Sequence, residues 1–505
     1  MKIFSTQQVQ TWDAFTIENE PILSYDLMQR ASSAFAVAFE KRFSDKEKTI
    51  HIFCGAGNNG GDGLCIARFL NKNYKNINVY LLDYKENTSD FEKALSDLDI
   101  SPTNIVHIKE TDNFIAFFEK INKKDIIVDA ILGSGLNRPV EGFLENIIYN
   151  INKTKATKVA VDIPSGLFAD SRTVGESVFA DYTFTFQSPK FAFFFPENQD
   201  RLGKWKVLNI GLDKDFYNTQ NTDRYYITHK IIQQIYTPRK KFDHKGTYGA
   251  SLIIAGSAGK MGAAVLATRA CLRSGAGLLT AYIPKIGYDI MQISVPEAMV
   301  LSDANVWSIT DVPPVKPYKA IGVGPGIGTS KEAVLAFEKL LELYRQPMVI
   351  DADALNILSF RSDLLQNVPK NSILTPHVKE FERLFGESEN EFLRHELQVQ
   401  KAVELGVFIV LKGAHSCIAT PDGTCFFNTT GNPGMATGGS GDVLTGILTS
   451  LLSQGYPPRE AAILGVYLHG FAGDLAAKRL SEEAMSAGDI VDFLGKAFLG
   501  IKSPS

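Results

Sequence analysis

Thr49-Ile50-His51-Ile52-Phe53-Cys54 leads into Gly55-Ala56-Gly57-Asn58-Asn59-Gly60-Gly61-Asp62-Gly63 and then into Leu64-Cys65-Ile66-Ala67-Arg68-Phe69-Leu70. A short β-branched run, a glycine-rich loop and a helix-patterned segment in that order make the repeating unit of a parallel α/β sheet. Five of the nine loop residues are glycine. Such a loop lets backbone amides approach an anion, and the helix that follows adds free N–H donors and a positive dipole end. A bare Gly-x-Gly after a strand also serves as a plain turn. Asn58, Asn59 and Asp62 add polar recognition that a turn does not need.

The same pattern recurs along the chain. Ile77–Leu82, Asp125–Val128 and Lys158–Val161 read as further buried strands of one series, and 250–255, 278–282, 320–323, 348–350 and 407–411 as a second. Short apolar runs alternating with helical stretches predict parallel sheets covered by helices on both faces. Between Asn218 and Asp243 the alternation breaks, through Asn-Thr-Gln-Asn-Thr-Asp and the basic run Arg239-Lys240-Lys241. A boundary near residue 225 is expected, giving domains 1–222 and 223–505. A chain of 505 residues exceeds what one core usually supports.

Two further strand ends in the first series carry carboxylates. Val128-Asp129-Ala130-Ile131-Leu132 runs into Gly133-Ser134-Gly135-Leu136-Asn137-Arg138-Pro139, and Val161-Asp162-Ile163-Pro164-Ser165-Gly166 repeats the arrangement one strand later. Carboxyl ends of parallel strands gather on one edge, so the three loops are expected to share a cleft. Each aspartate alone is also compatible with capping a helix.

In the second series the dominant signal is Asn432-Pro433-Gly434-Met435-Ala436-Thr437-Gly438-Gly439-Ser440-Gly441-Asp442-Val443-Leu444-Thr445-Gly446. Small residues expose consecutive amides to an oxyanion at a helix start. Asp442, in the first turn, is placed to take a proton from a substrate hydroxyl during phosphoryl transfer.

Bulk properties narrow the function. The net charge of −4, from 52 basic and 56 acidic residues without long blocks of either sign, leaves no footprint for nucleic acid or an anionic membrane. Five cysteines without a Cys-x-x-Cys pair are expected as reduced core residues. Met1-Lys2-Ile3-Phe4-Ser5 turns polar at once, and no run approaches the roughly 20 apolar residues of a membrane helix. A cytoplasmic protein is expected. Phe191–Pro196 reads as core or subunit interface, and no chemistry is assigned to His469 or Asp474.

The loop 55–63 and the segment Val161–Gly166 resemble the hallmarks of the NAD(P)H-hydrate epimerases. The resemblance implies that Asn58, Asn59, Gly60, Gly61, Asp62 and the loop Gly133–Pro139, with Ser134, Gly135, Leu136, Asn137 and Arg138, bind the hydrated dinucleotide. It implies a potassium site at Asn59, Asp129 and Ser165, oxygen donors suited to a hard cation. Asp162 matches the acid that contacts substrate. Carbon 6 of the hydrated ring bears a hydroxyl and the ring nitrogen, so it can invert through an iminium-like cation that a carboxylate stabilises while moving a proton.

The run around Asp442 resembles the signature of ribokinase-like folds. His244–Gly249, Gly256–Ala264, Gly324–Gly328, Asp351–Asn356, Thr375–Phe381 and Lys412–Ser416 narrow that likeness to the NAD(P)H-hydrate dehydratases. This implies substrate contacts at Ala263, Gly326, His377 and Asp442, and an adenine nucleotide held by Lys412, Gly413, Ala414, His415, Ser416 and Gly441. It also implies Mg²⁺ with ADP or ATP as the phosphoryl donor, ADP being suggested by microbial members. A lone histidine after proline is more often structural, and a lysine ending a strand can simply reach solvent.

The expectation is thus two three-layer α/β/α domains, Rossmann-like then ribokinase-like. Together they would form a bifunctional enzyme that epimerises and dehydrates hydrated NADH and NADPH. Partners are expected to be small molecules, in a chain that self-associates as a homo-oligomer. From the residues alone, two rivals stay open: a kinase for a small hydroxylated metabolite, and a pair of non-catalytic nucleotide sensors.

Overall fold

The computed structural model describes residues 1–98, 104–112 and 115–502. It divides into two compact units, Lys2–Thr222 and Asp223–Ser505 together with Met1.

The first unit holds β1 (Thr49–Cys54), β2 (Asn76–Asp83), β3 (Asn104–Lys109), β4 (Ile126–Ala130), β5 (Thr157–Val161), β6 (Tyr182–Phe186) and β7 (Lys204–Leu208). They form one sheet in the order β3-β2-β1-β4-β5-β6-β7, and each neighbouring pair is parallel. Alternation along the strands explains why they read as unbroken apolar runs. Ile50, Ile52, Ile126 and Val128 pack with Phe35, Phe39 and Leu64 of the helices Ser24–Arg42 and Asn58–Leu70. Phe53 and Ile127, pointing the other way, pack with Ile147, Ile148 and Ile151 of the helix Phe143–Lys153. With both faces covered, neither can be polar.

Three strands of this unit were not expected. β3 and β7 are the sheet edges, where exposed lysine and asparagine dilute the apolar signal. In β6, Thr183 and Thr185 lie buried within a Tyr-Thr-Phe-Thr-Phe alternation, and Thr183 Oγ1 is satisfied by Leu202 O at 2.8 Å.

The second unit holds β8 (Arg224–Tyr226), β9 (Ala250–Ile254), β10 (Leu278–Ile283), β11 (Met299–Ser302), β12 (Ala320–Val323), β13 (Val349–Ile350), β14 (Ile373–Leu374), β15 (Phe408–Leu411), β16 (Cys417–Ala419) and β17 (Cys425–Phe427). Their order is β11-β10-β9-β12-β13-β14-β15-β16-β17-β8. The sheet is parallel except where β15, β16 and β17 run antiparallel. The break expected between residues 218 and 243 is in part built structure. β8 pairs with β17, Tyr225 stacks on Phe426 at 5.2 Å, and Ile227 and Ile232 are fully buried. The segment is too short for its periodicity to show against the polar residues around it. The helices Ser440–Ser453 and Pro458–Leu480 pack into the core of this sheet. No helix among the described residues is long and apolar enough to cross a membrane.

In each unit the strand order reverses once, between β1 and β4 and between β9 and β12. Loops diverge from the carboxyl ends at such a point and leave a crevice for a ligand.

Candidate active sites

The first crevice is a cavity of about 1490 Å³, and Gly57–Asn59, Asp62, the loop 133–139 and Asp162 line it. Gly55 cannot carry a side chain, because a Cβ would lie 2.0 Å from the Ile131 carbonyl oxygen. The loops after β1 and β4 are therefore pressed together.

At the start of the helix Asn58–Leu70, Asn59 Nδ2 donates to Val161 O at 3.1 Å, while its Oδ1 is buried without a partner. Asp129, near the end of β4, is fully buried. Its Oδ1 accepts from Ser165 Oγ at 2.5 Å and its Oδ2 from Ser165 N at 2.7 Å. Burial pushes this carboxyl up to about 6 even with those donors and Ile131 N beside it. Ser165 Oγ also reaches Leu132, next to Gly133, where a Cβ would meet Asn59 at 3.4 Å. An orphaned carbonyl oxygen, a desolvated carboxylate with neutral donors and a hydroxyl form the donor set that a hard cation takes. Neither Asp129 nor Asp162 caps a helix.

Asp162 has φ +66°, uncommon for a residue with a side chain and worth roughly 1–3 kcal/mol of strain. Its carboxylate is firmly held. Oδ1 accepts from Lys190 Nζ at 2.6 Å, Phe186 N at 2.9 Å and Thr185 Oγ1 at 3.1 Å. The Lys190 side chain is only 3% exposed, so the pair is nearly enclosed. Burial and the charge of Asp162 hold the carboxyl of Asp62 well above the usual range, against the pull of Ser32.

Sequence reasoning missed Asp13 and Lys190. Asp13 stands on the helix Thr6–Asn19, whose Val9, Gln10, Asp13, Ala14 and Ile17 line the cavity. The opposite face is anchored by Trp12 Nε1, donating to Asp213 O at 2.7 Å. Burial, then the charge of Asp162, pushes the Asp13 carboxyl up to about 7, and Lys190 only partly offsets this. The signal available was a single acid on an otherwise uncharged helix face.

In the second unit, Asp351, just past β13, is 1% exposed. Lys412 Nζ reaches it at 2.9 Å and Glu380 at 3.6 Å, and Thr445 Oγ1 donates to its other oxygen at 2.8 Å. Burial works against the charge of Lys412, but Asp351 and Glu380 outweigh it and hold the ammonium above its usual value. Lys412 is thus a clamp inside the cleft rather than a chain reaching solvent. A Cβ on Gly441 would meet this ammonium at 3.3 Å, so the glycine backbone lies against the pair.

The helix Ser440–Ser453 begins at Gly439, whose φ of +92° suits glycine. Asp442 falls in its first turn. Burial, then the charge of Asp351, pushes its carboxyl up to about 7 against Lys412, with Asp353 adding to the rise. His469, assigned no chemistry from the sequence, supports this turn from the neighbouring helix. Its Nε2–H donates to Ser440 O at 2.9 Å, and burial lowers it to about 4, so the ring is neutral. Asp474, one helical turn further on, accepts from Gly431 N and Asn432 Nδ2, each at 3.0 Å.

The remaining expected positions fall around this centre. His377 pairs with Lys412 through a backbone bridge and caps the next helix, its Nδ1 accepting from Glu380 N at 3.2 Å. Its side chain is 49% exposed, so capping does not bury it. A Cβ on Gly326 would meet that of Ala263 at 3.3 Å, so these two expected contacts adjoin. Gly413 and Ala414 are exposed, while Ser416 Oγ closes back on Gly413 O at 3.1 Å. His415 Nδ1 lies 3.0 Å from Asn428 O.

Outside both clefts the structure buries all five cysteines, and Phe191 to Phe195 are core residues.

A family model described as NAD(P)H-hydrate dehydratase matches residues 251–496, and one described as YjeF-related protein N-terminus matches residues 24–192. The bifunctional NAD(P)H-hydrate repair enzyme Nnr of Moorella thermoacetica is 35% identical over 98% of this chain and 96% of its own. Its namesake in Escherichia coli is 33% identical over 93% and 88%. Among solved structures, an ADP/ATP-dependent NAD(P)H-hydrate dehydratase from Bacillus subtilis, co-crystallised with ATP and Mg²⁺, is similar with TM-score 0.50 and 32% identity. It covers 55% of this chain and 99% of its own. A ribokinase-like superfamily protein from Enterococcus faecalis gives TM-score 0.51 and 30% identity over 57% and 99%.

Proposed function

The chain belongs to the family of bifunctional NAD(P)H-hydrate repair enzymes, with an epimerase unit followed by a dehydratase unit, and from that premise we propose how its residues divide the work. In the epimerase unit, residues 1–222, the amides and carboxamides of Asn58–Asp62 and the loop Gly133–Pro139 take the hydrated dinucleotide. Phosphate groups sit against the helix N-terminus. The carboxylate of Asp162, held 2.6 Å from the Lys190 ammonium, faces the iminium-like cation formed at carbon 6 as R and S forms interconvert. Asn59, Asp129 and Ser165 would hold K⁺, which when bound supplies the positive charge that the buried Asp129 otherwise lacks. The unpartnered Asn59 Oδ1 supports this.

In the dehydratase unit, residues 223–505, Asp442 takes the proton of the carbon 6 hydroxyl, and the freed oxygen attacks the terminal phosphorus of ADP or ATP. AMP or ADP leaves. Loss of phosphate from carbon 6, with a proton from carbon 5, restores the dihydronicotinamide ring of the S form. Lys412–Ser416 and Gly441 hold the nucleotide, and Ala263, Gly326 and His377 contact the substrate. Mg²⁺ would enter with the nucleotide held by Lys412–Ser416 and Gly441, and would there neutralise the charge of its phosphates. The ATP and Mg²⁺ of the Bacillus subtilis relative support this. Buried, unpaired cysteines suit a reducing cytoplasm.

The observation that carries the reading is Asp442, untied and pushed up to about 7 in a helix first turn beside the Lys412–Asp351 pair. Hydrated NADH mixed with the full chain and ADP or ATP should regain the absorbance of the reduced ring, with phosphate released in equal amount. Phosphate appearing on a hydroxylated metabolite, with no NADH regained, would sink the reading in favour of a kinase.

A further inference from the structure

Four aspartates line the epimerase cleft besides the buried Asp129, and three of them are already engaged. Asp90 Oδ2 accepts from the Ser24 hydroxyl at 2.6 Å. Asp162 Oδ1 accepts from an ammonium, an amide and a hydroxyl, which ties its carboxylate in place. Asp62 Oδ1 takes the Ser32 hydroxyl at 3.2 Å. Asp13 differs. It projects from a separate helix into the same cavity, on a face otherwise made of Val9, Gln10, Ala14 and Ile17. That helix is fixed in place, since Thr6 N donates to Asp170 Oδ2 at 2.8 Å and Thr6 Oγ1 reaches Ser134 O at 3.3 Å. A Cβ on Gly135 would lie 3.7 Å from Gln10 Nε2, so the helix face borders the substrate loop directly.

We propose that Asp13 is the proton-carrying group of the epimerase cleft, acting on the carbon 6 hydroxyl while Asp162 stays a fixed charge. The proposal rests on the epimerase reading above and adds the acid it lacked. Protonated Asp13 gives its proton to the hydroxyl, the C6–O bond breaks, the N1 lone pair forms the N1=C6 bond, and water leaves. Water then adds to the opposite face of carbon 6, and the electron pair returns to N1. The added water releases its proton to solvent in the open cavity, from which Asp13 is reprotonated. One water is lost and one gained, with no oxidant or reductant. The charged groups facing Asp13 are Asp162 beyond β5, Lys190 beyond β6 and Asp62 on the helix Asn58–Leu70. Burial and then the charge of Asp162 favour a proton on Asp13, Lys190 opposes it, and the carboxyl is pushed up to about 7.

The test uses the full chain with Asp13→Asn and Asp13→Glu, following R and S interconversion by chromatography across pH 5–9 with the spontaneous rate subtracted. Asp13→Asn should lower kcat about 10²–10³-fold with KM changed less than about threefold, and should remove the limb of the pH profile near 7. Dehydration of the S form should be unchanged, and the thermal midpoint of the first unit should stay near that of the wild type, which reports that this unit is folded. Asp13→Glu should recover part of the rate with a shifted limb. A wild-type rate and profile in Asp13→Asn, or a loss confined to KM, would overturn the proposal. If the unmodified chain interconverts nothing, the epimerase reading fails instead.

Discussion

In the first unit Lys190 lies 2.6 Å from Asp162, and in the second Lys412 lies 2.9 Å from Asp351. Beside each pair stands a further aspartate, Asp13 or Asp442, whose carboxyl is pushed up to about 7. On the reading proposed above, each cleft would pair a carboxylate held by an ammonium with an untied one set near neutrality, where acid–base chemistry is efficient. The two differ in how the free acid arrives. Asp442 comes with the glycine loop itself, in a first turn whose dipole favours its ionised form, and burial still prevails. Asp13 comes from a separate helix, distant in sequence from its clamped neighbour, and has no such dipole beside it.

The largest effect falls on the free acids. Asp442→Asn keeps the shape of the turn but removes the proton acceptor, so dehydration should fall about 10²–10⁴-fold. Nucleotide binding, measured by calorimetry, should stay within a few-fold. Epimer interconversion in the same protein should keep its rate, just as Asp13→Asn should spare dehydration. Loss of both activities from either change would break the comparison, since the clefts would then not be chemically independent.

The clamps should show a smaller and graded effect. Removing one partner of a buried ion pair costs about 3–5 kcal/mol, because the remaining charge is left uncompensated. Asp351 is 1% exposed and would keep only Thr445 among the side-chain donors described here. The Asp162 side chain is 13% exposed and would keep Phe186 N and Thr185 Oγ1. Lys412→Met should therefore lower the thermal midpoint of its unit more than Lys190→Met lowers that of the other. The reverse order in differential scanning calorimetry would mean that burial at Asp351 is not the dominant cost.

What could be read from the sequence follows the same division. The strands β1, β4, β5, β9 and β12 and the loops after them were legible, because strand, glycine loop and helix are contiguous and each has its own pattern. Asp442 was legible for that reason. Asp13, Lys190 and Asp351 as the partner of Lys412 were not, since only tertiary packing brings each of them into its cleft. The β16–β17 hairpin was also missed. Its strands, Cys417–Ala419 and Cys425–Phe427, are too short for alternation to register, although Asp422-Gly423 marks the turn between them. The Lys412–Ser416 loop was found as a motif, but not the tie of His415 to Asn428.

The smallest effect separates function from stability at Asp442. Its carboxyl is raised from an unfolded value of about 3.9 to about 7, so the folded state prefers the protonated form. The stability this contributes is fully present below the unfolded value and is lost as the pH rises through the folded one. At pH 8 the ionised side chain is a desolvated charge beside Asp351, only partly offset by Lys412. An asparagine there removes that burden while keeping a polar group. Asp442→Asn should raise the midpoint of the second unit at pH 8 by about 2–4 °C, the shift expected for roughly 1 kcal/mol in a unit of this size. The gain should shrink by pH 5, where the folded chain already carries the proton. Dehydration by the wild type should rise with pH through about 7, opposite in direction to its stability. A variant less stable at pH 8 would mean that the ionised Asp442 is held by Lys412 more strongly than burial opposes it, and that this acid too is clamped.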